Sequence, residues 1–220
     1  MEKKDKEVNM FSDYLDNKIV LDKWQKIGVF CLTVVASGLF GWIYEFFFYY
    51  INFGMKKFYW QGGNFLPWIN IYAYGSFLII WLTYKKRKYP LKVLIISMIS
   101  TGILELCSGY ILYDILGWTR CWDYNQEILN FGNIGGFVCL RSVTFFGISG
   151  LLLIYGILPL LIKISQQKPE KIVLVLSVTL SSLFIIDELY NLLFYPFFSI
   201  PKASDFYKEH GFKYLYFDNK

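Results

Sequence analysis

From Ile27 to Phe198 the chain is almost continuously apolar, and short polar segments cut it into five runs. Runs near or above about 20 apolar residues are long enough to cross a bilayer as helices. Inside hydrocarbon, every backbone N–H and C=O must find a partner within the segment, which selects the helix. The expected fold is therefore all-α: a polytopic membrane helix bundle of about five transmembrane helices. The runs are approximately 27–51, 68–84, 91–113, 138–162 and 172–198, and the second is the shortest. Residues 1–26 form a polar N-terminal segment, 27–198 the transmembrane domain, and 199–220 a polar, aromatic tail.

Composition agrees. Hydrophobic residues make up 55% of the 220 and charged residues 18%, below the roughly 25% of soluble domains. That balance excludes a soluble enzyme, a nucleic-acid-binding domain and a disordered linker. With one His and four Cys but no CxxC pair, no zinc site is expected. No metal, cofactor or catalytic residue is expected either. The first 26 residues are charged throughout, so they do not read as a cleavable signal. Met10, Phe11, Tyr14, Leu15 and Trp24 form a weak apolar stripe there, but a solvated leader helix is the plainer reading.

Lys and Arg fix the expected orientation. Fourteen lie in the N-terminal segment, the 85–92 region and the 163–171 loop; eight lie on the other side. The N-terminus is read as cytoplasmic and the C-terminus as outside, in a multi-pass protein of the cell membrane.

Five ionisable residues fall inside the runs: Glu45, Glu105, Arg141, Asp187 and Glu188. Each costs about 2.5–3.5 kcal/mol at mid-bilayer on insertion scales, so each is expected in the bundle interior or a wet cavity. At about 1.5 Å per residue, Glu45 lies ~27 Å, Glu105 ~21 Å and Asp187 ~22 Å into their runs. Arg141 sits one turn from its outer end. All five therefore fall in the outer half of the membrane. Helical spacing places Ser37, Gly41 and Glu45 on one face, and Ser97, Thr101, Glu105 and Gly109 on another; small residues at this spacing mark packing faces. Two readings stand together: Arg141 neutralises Glu45 or Glu105 as a structural pair, or the charges line a ligand site or pathway.

The loop Trp118-Thr119-Arg120-Cys121-Trp122-Asp123-Tyr124 is dense in aromatic and charged side chains. Arg120, Trp122, Asp123 and Tyr124 are candidates for a segment covering the bundle or meeting head groups; an aromatic belt explains the same composition. Cys121 and Cys139 fall near the outer boundary, where a disulfide is open to them; a buried or idle thiol is the simpler state.

Several motifs in order resemble one family. Gly41-Trp42-Ile43-Tyr44-Glu45 resembles the first-span motif of the family named Putative ABC-transporter type IV, also called putative ABC transporter permease. Gln61-Gly62 through Pro67, then Ile71-Tyr72-Ala73-Tyr74-Gly75, is similar to its glycine-rich second segment. There Gln61, Asn70 and Ala73 replace the family's Arg, Pro and Gly. Leu104-Glu105 with Ser108-Gly109-Tyr110, Arg120-Cys121-Trp122-Asp123-Tyr124-Asn125, and Asn133, Gly136, Val138, Cys139 and Leu140 extend the likeness over about residues 38–162. The resemblance implies a bacterial five-span membrane protein that serves as a transporter component. Its ATPase would be a separate subunit, because the chain has no GxxxxGK[ST] loop. A homo-oligomer is a further expected arrangement. The alternatives are a non-transport membrane protein for envelope assembly or sensing and, less favoured, an intramembrane lipid-modifying enzyme.

Overall fold

The computed structural model describes residues 10–52, 58–117, 122–194, 198, 200–201, 203–211 and 215–217. Helix α1, Lys23–Asn52, is the longest. Its start is set by a capping box: Gln25 N–H donates to Asp22 Oδ1 at 2.8 Å, and Asp22 N–H donates back to Gln25 Oε1 at 3.2 Å, so two otherwise orphaned donors are satisfied. Helix α2 is Asn70–Thr83. Helix α3, Pro90–Gly109, opens on a proline at its first turn and continues as a wider π turn over Tyr110–Ile115. Helix α4 runs from Leu140 to Gln167 and is interrupted by a π turn at Leu153–Ile157. Helix α5, Glu170–Leu189, is followed by a π turn at Tyr190–Phe194. A short α6, Ala203–Glu209, lies in the tail.

The architecture is the expected membrane bundle, with one difference. Four helical stretches, Lys23–Ile51, Pro90–Ile115, Leu140–Gln167 and Glu170–Leu192, are long and apolar enough to cross a membrane. α2 has only 14 residues, a rise of ~21 Å against a hydrocarbon core of about 30 Å. An irregular, bent segment from Gln61 to Ile69, with Gly62 and Gly63 at positive φ, precedes it. The sequence reading began this run at Trp68 because Trp68 and Ile69 are apolar; the helix starts two residues later, at Asn70.

The helices pack in the order α5–α1–α2–α3–α4, and the lower half of α4 returns to touch α1. Close approach depends on small residues. A Cβ on Gly41 would overlap the ring of Tyr72, and one on Gly150 would overlap Ser97. The main apolar cluster sits at one end of the bundle, around Val29, Ile79, Ile80, Val93, Leu153, Ile154, Leu158 and Ile162.

At that end the N-terminal segment departs from the solvated leader expected of it. Residues 10–15 are helical, and Tyr14 is fully buried in the main cluster. Pro159 explains the contact. In the π turn, Leu158 N–H bonds back to Leu153 O, and the next residue, Pro159, has no N–H to offer Ile154 O. Tyr14 fills the gap, donating its hydroxyl proton to Ile154 O at 2.7 Å. Arg87, 2% exposed, donates from Nε to Tyr14 O at 2.7 Å and from Nη1 to Tyr84 O at 2.5 Å. Its guanidinium stacks over the rings of Tyr14 and Tyr84. We call this the basic end. At the opposite, loop end, strands β1 (Phe58–Trp60) and β2 (Leu215–Phe217) pair in parallel, Tyr59 against Tyr216, which ties the tail to the α1–α2 connection. Cys139 is a free, buried thiol; Cys121 lies outside the described residues.

Candidate functional site

The polar centre is built at the loop end from α1, α2, α3, α4 and the segment between α3 and α4. Glu105 is 3% exposed. It accepts from the Tyr124 hydroxyl at 2.7 Å and from Ser142 Oγ at 2.8 Å. Glu45 accepts from the Tyr72 hydroxyl at 3.1 Å. Glu45, Glu105 and Glu127 lie within electrostatic range of one another. Aromatic rings wall the site: Tyr44 stacks on Phe145 with centroids 3.8 Å apart, and Tyr72 packs on Phe146 at 5.0 Å.

Arg141 corrects one sequence-based expectation. Its hydrogen bonds go to neither Glu45 nor Glu105. It donates from Nη2 to Glu127 and from Nη1 to Ile128 O at 2.9 Å, while its guanidinium lies near the rings of Phe48 and Tyr124. Glu127 also accepts from the Tyr49 hydroxyl at 2.9 Å. Glu127 escaped the sequence reading because it lies in a polar loop that gives no hint of its return. A bend brings it back: Leu140 N–H bonds to Phe131 O, and Ile134 bridges Val138.

The outer-loop candidates divide. Tyr124 reaches Glu105. Trp122 donates its indole N–H to Phe137 O at 2.9 Å and packs against Tyr113. Asp123 accepts from Asn125 N–H at 3.0 Å and from its side-chain amide at 2.8 Å, closing a local turn. Arg120 lies outside the described residues. Outside the spans, burial holds the Tyr124 hydroxyl well above the usual phenol range, with the Glu105 carboxylate adding to the effect; Tyr124 therefore acts as a donor here.

The fifth-span acids face two different partners. Asp187, 5% exposed, accepts from the backbone N–H groups of Phe65 and Leu66 at 3.0 and 2.9 Å. It thereby satisfies donors that the irregular 61–69 segment would otherwise leave bare. Asn191 joins the same knot: its amide lies 3.0 Å from both Asp187 Oδ1 and Asn64 Oδ1. Asn64 in turn donates to Asn70 Oδ1 at 2.6 Å and to Trp68 O at 3.1 Å. Glu188 turns toward α2 and accepts from the Tyr74 hydroxyl at 2.7 Å. The sequence reading missed Tyr72 and Tyr74 as partners of acids; two tyrosines inside one apolar run were the available signal.

Beside Tyr72 lies a small crevice between α1, α2 and α4, lined mostly by apolar side chains, among them Phe40, Ile79, Phe146, Leu152, Leu153 and Ile157, with Ser37, Ser76 and Ser149 between them. Among the described residues, no group of three or more His, Cys, Asp or Glu could hold a metal ion.

A bundle with four membrane-length apolar helices and its carboxylates turned inward defines a multi-pass helical membrane protein. The chain belongs to the family described as Putative ABC-transporter type IV, whose model matches residues 32–192. That match runs from within α1 through α5 and takes in every acid of the site described above. Neither the curated proteins nor the solved structures contain a match.

Proposed function

We propose that the chain is a permease-like transport component whose solute meets Glu45 and Glu105 from the outer side of the membrane. One observation carries the reading. Arg141 is engaged by Glu127, so the direct partners of Glu45 and Glu105 are the neutral hydroxyls of Tyr72, Tyr124 and Ser142. A buried carboxylate and a half-buried one, neither bonded to a cation among the described residues, invite a positively charged or proton-carrying solute.

In this reading the basic end is cytoplasmic and the tail is outside, in the cell membrane of a bacterium. The chain is not an enzyme and uses no cofactor of its own. ATP hydrolysis belongs to a separate subunit docked on the short connections at 84–89 and 168–169, which leave the ends of α4 and α5 to meet it, and the transporter works as an oligomer with that partner or with a second copy.

The test is affinity purification from native membranes in mild detergent, read by mass spectrometry. An ATP-binding-cassette subunit at near-equal stoichiometry supports the permease role; its absence removes that role. In parallel, the Glu45→Gln, Glu105→Gln double variant should abolish solute movement. Unchanged uptake and export of every tested solute would sink the acid pair as the site.

A second reading rests on a different observation. The 122–137 loop is ordered by its own bonds, Asn133 to Asn125 and Gly136 N–H to Asn133, yet exposes Ile128, Leu129, Phe131 and Ile134. Such a rim suits a partner in envelope assembly or sensing. Co-purification of an envelope protein, lost on Phe131→Ser, would favour it.

A further inference from the structure

Counting donors separates the carboxylates of this bundle. Glu127 has a guanidinium and a tyrosine hydroxyl. Asp187 has two backbone N–H groups and the Asn191 amide. Glu105 has two hydroxyls. Glu45 has one, from Tyr72, and so has Glu188, from Tyr74. The second oxygen of Glu188, Oε2, is buried and has no hydrogen-bond partner among the described residues.

The surroundings offer nothing to neutralise it. Glu188 is 7% exposed. The titratable groups that face it are Tyr74 from α2 and Asp187 beside it on α5. From the 61–69 segment comes Trp68, whose ring packs on Phe184, one helical turn before Glu188. The Trp68 indole N–H is also buried without a partner among the described residues. No Lys or Arg among the described residues bonds to Glu188. An ionised carboxylate enclosed like this, with one neutral donor and a like charge next door, is strongly disfavoured. When two adjacent acids compete, the one with more donors keeps the charge and the other takes the proton. Asp187 is the better served.

We propose that Glu188 is a proton-binding site within the membrane, separate from the Glu45–Glu105 centre, with Tyr74 as its positioning residue. Glu188 carries the proton in the packed state seen here. On release, the proton leaves to water at the loop end, and a charge is left at the α2–α5 contact. The short helix α2 is tied on one side by Tyr72 to Glu45 and on the other by Tyr74 to Glu188. Its position is thereby coupled to proton occupancy. This inference does not depend on what the protein transports, or on whether it does.

Two measurements test it on the full chain in phosphatidylcholine nanodiscs. The first is labelling with dicyclohexylcarbodiimide, an apolar reagent that adds to a protonated carboxyl. The carboxyl proton passes to a carbodiimide nitrogen, a carboxyl oxygen bonds to the central carbon, and acyl migration then gives a stable N-acylurea. Peptide mapping should place the label on Glu188 and not on Asp187, with the yield falling as pH rises and lost in Glu188→Gln. The second is infrared spectroscopy, which does not need reagent access. The wild-type protonated-carboxyl C=O band should lose intensity in Glu188→Gln, and in Tyr74→Phe it should shift as the hydrogen bond disappears. Label on Asp187 in place of Glu188, or carboxyl bands identical in wild type and Glu188→Gln across the pH range, overturns the proposal. The amide of Glu188→Gln can still accept from Tyr74, so the variant preserves the fold that the comparison needs.

Discussion

The hydroxyl of Tyr14 and the carbonyl of Ile154 are joined across 140 residues of sequence at 2.7 Å. A proline two turns from the basic end of α4 creates the vacancy that this bond fills. The N-terminal segment is thus part of the bundle's hydrogen-bond accounting. Tyr14→Phe keeps the ring on Arg87 but leaves Ile154 O bare. An unsatisfied buried acceptor costs about 1–3 kcal/mol. Thermal unfolding in detergent should fall accordingly, and amide exchange over residues 10–15 should accelerate.

Asp16 gives the same region an acid dependence. Its exposed carboxylate bonds Lys88 at 2.8 Å and Lys18 at 3.1 Å, and the two ammonium groups hold it below the usual carboxylate range. The folded value is the depressed one, so the contribution is complete above the unfolded value, about 4, and is lost as pH falls through the folded value. Spin labels on the N-terminal segment and the 84–89 loop should separate over that acid window. Asp16→Asn should abolish the step.

Two glycines on one helix pair should respond oppositely. Gly41→Ala drives a methyl into the Tyr72 ring, whereas Gly75→Ala meets Thr101 at an ordinary 3.6 Å. Overpacking costs about 1–3 kcal/mol, while Ala in a helix gains up to about 1 kcal/mol over Gly. Gly41→Ala should therefore lower the unfolding temperature and displace the Tyr72 hydroxyl from Glu45. Gly75→Ala should leave the temperature level or raise it. Equal losses at both positions would contradict the packing described.

Asp187→Asn tests the support of the 61–69 segment. One accepting oxygen is replaced by an NH2 that faces a backbone N–H. Hydrogen bonds to charged groups contribute about 1.5–3 kcal/mol, and a loss in that range is expected. Amide exchange at Phe65 and Leu66 should rise far more than at residues in α3. If exchange there is unchanged, Asp187 does not hold the segment.

Much of this was legible in the chain. The five runs, and the acids on faces marked by Ser37, Gly41 and Thr101, follow from periodicity, because packing faces must carry small residues wherever helices approach. That the second run is short did follow; the start of α2 at Asn70 in place of Trp68 did not, since hydropathy cannot tell an apolar helix from an apolar irregular segment whose N–H groups a distant aspartate satisfies. Arg141's partner did not follow either. Opposite charges at similar depth suggested Glu45 or Glu105, but the geometry of a loop bend decided for Glu127. Tyr14 was hidden by a vacancy that only the joint action of a π turn and Pro159 creates.

The bond from Asp187 to Phe65 and Leu66 also orders events at the ribosome. The donors precede their acceptor by more than 120 residues. At about 5–20 residues per second, roughly 6–24 s pass before Asp187 is synthesised. During that interval α2 is too short to anchor itself across the bilayer, and its leading segment has unpaired amides. The half-made protein must therefore wait at the insertion machinery or at the water interface. Final seating of the second helix comes only after the fifth has emerged, so a truncation before Asp187 should leave the α1–α2 hairpin a substrate for membrane quality-control proteases.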